Sequence, residues 1–225
     1  MKTEPLSILS IVATPIGNIG DLSSRAKQVL SDADIVLCED TRVTGNLLNL
    51  LEISAPMKTL QQHTDDAEIQ RILADYEGKH IALVSDAGTP NVSDPGGKFV
   101  QMSVVAGFIV SPIPGPSAMA AALSICGFPA DRFTFLGFPP HKKGRARYFE
   151  ELSEVEHSIV LFESKHRILK TLAELPQNRL MMVARELTKL HETIYRGTAP
   201  NITAQIEAGS SKGEFVIVLA PSTWN

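Results

Sequence analysis

The sequence predicts an α/β protein of two domains, and three observations carry that prediction. Strand-like and helix-like segments alternate along the whole chain, the pattern of crossover units around a sheet. Short apolar, β-rich segments such as Asp34–Cys38 and His80–Val84 read as buried strands. Pro112-Ile113-Pro114-Gly115-Pro116 concentrates ring-constrained and glycine residues, breaks any regular element, and marks a boundary between domains 1–114 and 115–225.

Each element follows from a local pattern. Leu6–Ala13 is β-rich and runs into the turn Thr14-Pro15-Ile16-Gly17. Asp21 is placed to cap a helix whose apolar residues Leu22, Ala26, Val29 and Leu30 recur at helical spacing. The strand Asp34–Cys38 ends at Glu39-Asp40-Thr41-Arg42, and a helix follows through Leu47, Leu48 and Leu51. Asp65–Tyr76 is amphipathic, with Ile69, Ile72 and Leu73 on one face. The strand His80–Val84 opens into the turn-rich loop Ser85–Gly96, where Asp94 can cap the next helix, near Lys98–Val105. Phe108–Ser111 is the next strand. Past the boundary, the small residues of Ser117–Cys126 predict a closely packed helix. Strands are predicted at Arg132–Leu136, Ser158–Phe162, Leu180–Ala184, Thr193–Arg196 and Glu214–Leu219. Helices near Gly144–Leu152, His166–Leu175 and Asn201–Ala208 separate several of them. No repeat of fixed period and no low-complexity segment occurs.

Composition narrows the function. With 225 residues, 44% hydrophobic and 20% charged, the chain has the make-up of a soluble enzyme with a real core. No apolar run reaches the ~18–20 residues of a membrane span. The start, Met1-Lys2-Thr3-Glu4-Pro5, does not read as a signal peptide, so a cytoplasmic location is expected. Cys38 and Cys126 sit in apolar surroundings without metal-ligand spacing, so they read as buried thiols and no metal site is expected. A net charge of −4 argues against a surface built wholly for nucleic acid. It leaves room for a local patch, and His141-Lys142-Lys143-Gly144-Arg145-Ala146-Arg147 supplies one. That run is either a solvated loop leading into a helix or a phosphate-contacting segment.

In open α/β sheets, ligands bind beyond the carboxyl ends of the strands. Four such ends carry unusual residues: Thr14–Gly20, Glu39–Arg42, Ser85–Gly96 and Pro112–Ser117. The first lacks the glycine spacing of a dinucleotide fingerprint and the lysine of a P-loop, which removes most nucleotide chemistry. In the third, glycine permits close backbone approach and proline fixes shape in advance, so main-chain groups can meet a polar ligand.

Seven motifs occur in order along the chain: Thr14-Pro15-Ile16-Gly17-Asn18, Glu39-Asp40-Thr41-Arg42, Val84–Gly96, Pro114-Gly115-Pro116-Ser117-Ala118, Phe162–Arg167, Ala184–Lys189 and Lys212-Gly213-Glu214. Taken together, they resemble the tetrapyrrole methylase superfamily, the class III methyltransferases. Within it, the likeness is to the branch that methylates a cytidine 2′-hydroxyl in small-subunit (16S) ribosomal RNA. The resemblance implies two α/β domains with S-adenosylmethionine in the cleft between them, and a homodimer. It assigns cofactor contacts to Ile16, Ala87, Gly88, Thr89, Val92, Ser117 and Ala118, then to Glu163, Leu187, Glu214 and Phe215. Thr89 stands where tetrapyrrole enzymes carry aspartate, which fits the RNA branch. Many members of that branch continue into a further C-terminal helical segment, so this chain resembles a short form.

A ribose hydroxyl is a poor nucleophile at neutral pH, so a base or a nearby cation would help its methylation. Candidates are Glu39, Asp40, Arg42, Glu163, Lys165, Arg185, Glu186, Lys189, Lys212 and Glu214, each of which could equally be structural. Motif position favours Glu186 as base or orienting carboxylate, with Lys189 as the cation beside it. Arg42, Lys142, Lys143, Arg145 and His166 are the expected contacts to RNA, either free or within the 30S subunit. The alternatives are a tetrapyrrole or other small-molecule methylase, and a non-catalytic S-adenosylmethionine- or RNA-binding assembly factor.

Overall fold

The computed structural model describes residues 5–224, so Met1–Glu4, on which the signal-peptide expectation rests, and Asn225 lie outside it. The chain divides into two compact units, Met1–Ser117 and Ala118–Asn225.

The N-terminal unit alternates β1 (Ile8–Val12), α1 (Ser24–Asp32), β2 (Ile35–Cys38), α2 (Thr41–Leu50), β3 (Met57–Thr59), α3 (Asp66–Asp75), β4 (His80–Leu83), α4 (Gly97–Val105) and β5 (Ile109–Ile113). Its five strands are all parallel, in the order β3-β2-β4-β1-β5. Successive side chains of a strand point to opposite faces, and β2 shows the consequence. Val36 and Cys38 join a core with Ala26, Leu30, Leu48 and Leu51 of the α1–α2 layer. Ile35 and Leu37 join another with Ile69, Ile72, Leu73 and Phe99 of α3 and α4. A parallel sheet covered on both faces needs apolar residues at every position, which is why its strands read as unbroken runs.

Three local expectations are corrected, and strand β3 has no counterpart among the predicted elements. Ser23, not Asp21, caps α1 by accepting a hydrogen bond from Ala26 N, while Asp21 lies in a short 3₁₀ turn. The N-cap of α4 is Gly96 at φ 139°, not Asp94. Strand β5 runs on through Pro112, pairing Pro112 with Ile11. An edge strand tolerates a proline because one row of its backbone groups has no ladder partner. Strand β3 has exposed residues at both ends and leaves no apolar signature.

The C-terminal unit holds α5 (Ala118–Ile125), β6 (Phe133–Phe135), α6 (Arg145–Ser153), β7 (Ser158–Ser164), α7 (Ile168–Glu174), β8 (Met181–Arg185), β9 (Thr193–Gly197), α8 (Ala199–Ala208) and β10 (Glu214–Leu219). Its sheet is mixed, in the order β6-β7-β10-β8-β9, with only β6 and β7 parallel. Ile159, Leu161, Met181, Val183, Phe215 and Ile217 pack with α6, α7 and α8, and α5 lies against β10 on this unit. No described helix is long and apolar enough to cross a membrane. Both cysteines are buried and free.

Candidate active site

In the N-terminal unit the carboxyl ends of the strands are knitted together by the loops that follow them. Thr14, after β1, exchanges two backbone hydrogen bonds with Gly88, at 2.9 and 3.1 Å. Its hydroxyl donates to Ser85 O at 3.2 Å. Thr89 Oγ1 donates to Pro116 O at 3.1 Å, tying the long loop to the residues after β5. Gly88 has φ 85°, and a Cβ there would lie 3.3 Å from Ile16 Cγ2. At Gly115 a Cβ would lie 3.1 Å from that of Ala13. Ile16, Ala87, Gly88, Thr89 and Val92 therefore share one backbone-rich rim, with Ser117 at its far end. Within the same loop, Asn91 and Ser93 hold φ values of 70° and 68°. Non-glycine residues in this region carry strain, which collects at functional loops.

Behind this rim, β2 and β4 bring carboxylates together. Asp40 caps α2 by accepting from Arg42 N at 2.8 Å, and its own N–H donates to Asp86 Oδ1 at 3.2 Å. The Arg42 side chain turns back onto Asp40, with Nη2 at 2.5 Å from Oδ2, and holds that carboxyl near pKa 2. Arg42 itself is 87% exposed at the side chain, so the expected RNA contact lies in solvent but engaged with its own cap.

Glu39 behaves in the opposite way. Its Oε1 is buried and has no hydrogen-bond partner. Burial, then the charges of Asp94 and Asp86, push its pKa up to about 7, and a hydrogen bond from the Asp86 backbone offsets only part of this. Asp86 and Asp94 are also raised, each mainly by burial. A carboxyl that exchanges its proton near neutrality, at the carboxyl end of a parallel strand, has the properties of a general base. In the sequence Glu39 stands among ten candidates with nothing to single it out, because its burial and the charges of a distant loop arise only in the fold.

In the C-terminal unit, the turn after β8 meets the one before β10. Glu186 has φ 52° and Thr188 φ 66°. Glu186 Oε1 accepts from Glu214 N at 2.9 Å and from Lys189 Nζ at 3.0 Å, and Lys189 also reaches Glu214 Oε2 at 2.9 Å. Burial works to raise the Glu186 pKa, but the Glu214 N–H and Lys189 outweigh it, so the carboxyl lies below its ordinary value. Lys189, opposed by burial but flanked by two carboxylates, is held above its own. Glu186 is therefore a weaker proton acceptor than a free glutamate. Gly213, at φ 116°, leaves room for this arrangement, since a Cβ would come within 2.6 Å of Glu186 Cγ. Gly213→Ala is expected to cost about 1–3 kcal/mol in urea unfolding, from the positive φ and the displaced carboxylate together. Leu187 and Phe215 are buried beside the pair, at the ends of β8 and β10, and Glu214 is exposed.

Glu163 and Arg145 are turned inward. Glu163 is completely buried at the side chain and pairs with Arg167 at 2.8 Å. Its Oε2 accepts from Thr171 Oγ1 at 2.6 Å. A side chain so occupied offers a ligand only its backbone. Arg145 is 5% exposed and hydrogen-bonds Glu174, Thr171 and Pro140 O, which corrects its expected contact with RNA phosphate. It leads a helix whose buried residues are Arg145, Phe149 and Leu152, so the apolar stripe of α6 carries it into the interior. His141, Lys142, Lys143 and His166 are exposed. Ala118 opens α5.

Residues 9–203 match the model of the tetrapyrrole (corrin/porphyrin) methylases. A Synechocystis protein named ribosomal RNA small subunit methyltransferase I is 43% identical over 224 residues, covering 97% of this chain and 80% of the relative. A Thermotoga maritima protein of the same name is 40% identical over 216 residues, covering 94% of this chain and 97% of its own. Uroporphyrin-III-C-methyltransferase from Thermus thermophilus superposes with a TM-score of 0.65 at 19% identity, covering 95% of this chain and 94% of that one, which is a likeness of fold. The chain thus belongs to the tetrapyrrole (corrin/porphyrin) methylases, a family whose methyl donor is S-adenosylmethionine.

Proposed function

We propose that the protein transfers a methyl group from S-adenosylmethionine to small-subunit ribosomal RNA, at the 2′-hydroxyl of a cytidine. The observation that carries the RNA reading is the 43% identity, across almost the whole chain, with a relative named for that substrate. Thr89, in place of the aspartate of tetrapyrrole enzymes, supports it, as do the exposed Lys142 and Lys143.

The N-terminal rim fits the methyl donor. Gly88 and Gly115 let its segments close tightly on Ile16 and Ala13, and its main-chain dipoles carry no net charge. Ile16, Ala87, Gly88, Thr89, Val92 and Ser117 are the residues that would hold it. When bound, S-adenosylmethionine supplies an electrophilic methyl group on a sulfonium whose positive charge disappears on transfer. Rigid loops serve such a displacement because most of its barrier is lowered by orientation.

We assign the base to Glu39. With the methyl donor bound, the Glu39 carboxylate would accept the proton that the ribose hydroxyl loses on methylation and release it to water. Glu186 and Lys189 are given a positioning part, fixing the turns after β8 and before β10.

The test is methyl transfer from labelled S-adenosylmethionine to 30S subunits and to free 16S RNA, followed by mapping of ribose methylation. Label at one cytidine ribose is the expected result. Label on a base, or turnover only with a tetrapyrrole, overturns the reading. Lys142→Gln with Lys143→Gln should weaken RNA binding and lower the slope of log K against log salt by about 1.4–1.8, or about 0.7–0.9 for each phosphate no longer neutralised. Nitrocellulose filter binding across a salt series measures it. The family's homodimer belongs to the same proposal, supported by exposed apolar Leu6, Val104, Val105 and Ile109 around the α4–β5 turn.

A further inference from the structure

Phe138 is 51% exposed although it sits in a tightly held loop. Its ring stands edge-on to Phe162, at 5.6 Å and 63°, and Phe162 packs in the same manner against Phe135, at 4.9 Å and 67°. The loop that carries it is pinned along its length. Phe162 N donates to Gly137 O at 2.9 Å. Arg167 Nη1 donates to Pro139 O at 2.7 Å, and Arg145 Nη1 to Pro140 O at 2.8 Å. Two consecutive prolines stiffen the segment further. The ring is thus displayed, and the buried Glu163–Arg167 and Arg145–Glu174 pairs hold the frame that displays it.

The surroundings of the ring are cationic. His141, Lys142 and Lys143 are exposed on the same loop, and Lys165 and His166 are exposed just past β7. Strands β6 and β7 are parallel neighbours, so both groups follow the carboxyl ends of adjacent strands, at one end of the sheet. A flat apolar surface among cations matches single-stranded nucleic acid, whose bases stack on aromatic rings while basic side chains follow the phosphates. A duplex keeps its base faces covered and offers the ring nothing.

We propose that Phe138 is a stacking platform for an unpaired base of the RNA substrate, with Lys142, Lys143 and Lys165 following the adjoining phosphates. This rests on the reading of RNA as substrate and adds to it that the strand is unpaired where it meets the C-terminal unit. The platform selects for a free base face and not for base identity, so it gives affinity and strand preference.

The test uses the full-length protein and a fluorescein-labelled single-stranded oligocytidine, followed by anisotropy over a salt series. Phe138→Ala should weaken binding by about tenfold at every salt concentration, leaving the salt slope unchanged, because stacking releases no counterions. Phe138→Trp should restore or exceed wild-type affinity. The lysine variants should show the converse, a reduced slope. Calorimetry with S-adenosylmethionine confirms that Phe138→Ala is folded if it matches wild type. Should Phe138→Ala bind the oligomer as tightly as wild type, or a duplex compete equally well, the platform is excluded while RNA as substrate stands. Should wild type bind neither the oligomer nor 30S subunits at low salt, both readings fall. If Phe138→Ala lowers the sedimentation coefficient but binds RNA normally, the ring is a contact between copies and the proposal is overturned.

Discussion

Glu39→Gln is expected to slow methyl transfer by about 10²–10⁴-fold while leaving S-adenosylmethionine binding intact, because glutamine keeps the shape and removes only the proton acceptor. The pH profile gives the sharper test. A base with a pKa of about 7 is active only when unprotonated, so wild-type turnover should rise tenfold per unit below that value and level off above it. The variant's residual rate should lack this rise. Stability should move the other way. The Glu39 pKa is raised in the folded state, so the unfolded chain gives up this proton first as pH increases. The folded state is favoured below about pH 4.5, and that advantage is lost as pH climbs through about 7. Glutamine never ionises, so the variant should be more stable than wild type above pH 7, by about 1–2 kcal/mol after allowance for solvent at the site. The gap should close toward pH 4.5. A variant that is slower yet more stable marks a residue kept for chemistry. Wild-type turnover at pH 8 in Glu39→Gln would assign the base elsewhere.

Much of the fold was legible for one reason. A strand buried on both faces must be apolar throughout, so Ile35–Cys38 and Ile81–Leu83 announce themselves, and the helices around them declare a stripe at helical spacing. Strand β3 was not legible. Met57-Lys58-Thr59 is an edge strand fixed from outside itself, by Val36 N to Pro56 O and Leu60 N to Cys38 O, both at 2.8 Å. Pro112 misled in a related way, since its missing N–H matters only in the interior of a sheet. The site divides similarly. Its loops could be read from glycine and proline, because backbone conformation is a local property. The affinity of Glu39 for a proton could not, because it comes first from burial in the folded unit and then from Asp94 and Asp86 on another loop. Glu186 and Lys189 were recognised as a pair, but the Glu214 N–H that weakens Glu186 as a base lies across a sheet register.

The largest stability effect is expected at Arg145, and it separates two kinds of cation that look alike in sequence. Lys142, Lys143, Arg145 and Arg147 lie within six residues, yet Arg147 is an exposed partner of Glu151 and Arg145 is buried. Arg145 donates through Nε and Nη2 to Glu174 Oε2 at 2.8 and 2.5 Å, through Nη2 to Thr171 Oγ1 at 2.8 Å, and lies over the Phe149 ring at 4.9 Å. Thr171 in turn donates to Glu163, which Arg167 neutralises, so the two arginines and two glutamates form one connected set. Arg145→Ala removes the fork, strands the Pro140 carbonyl and leaves a cavity beside Phe149. Breaking a buried pair costs about 3–5 kcal/mol, and the lower end applies here because Glu174 is 33% exposed and can recover water. Arg145→Lys keeps the charge but cannot reach three acceptors at once, so about half of that loss should remain. Lys142→Ala and Lys143→Ala, with nothing buried to lose, should stay within about 0.5 kcal/mol of wild type. Urea denaturation of the four variants decides between these roles. If Arg145→Ala unfolds like the lysine variants, the network is not holding the loop, and Arg145 returns to the surface as a phosphate contact. If it unfolds early, what it holds is the frame from which Phe138 and the two lysines face solvent, and its loss should weaken RNA binding without any change in the charge displayed.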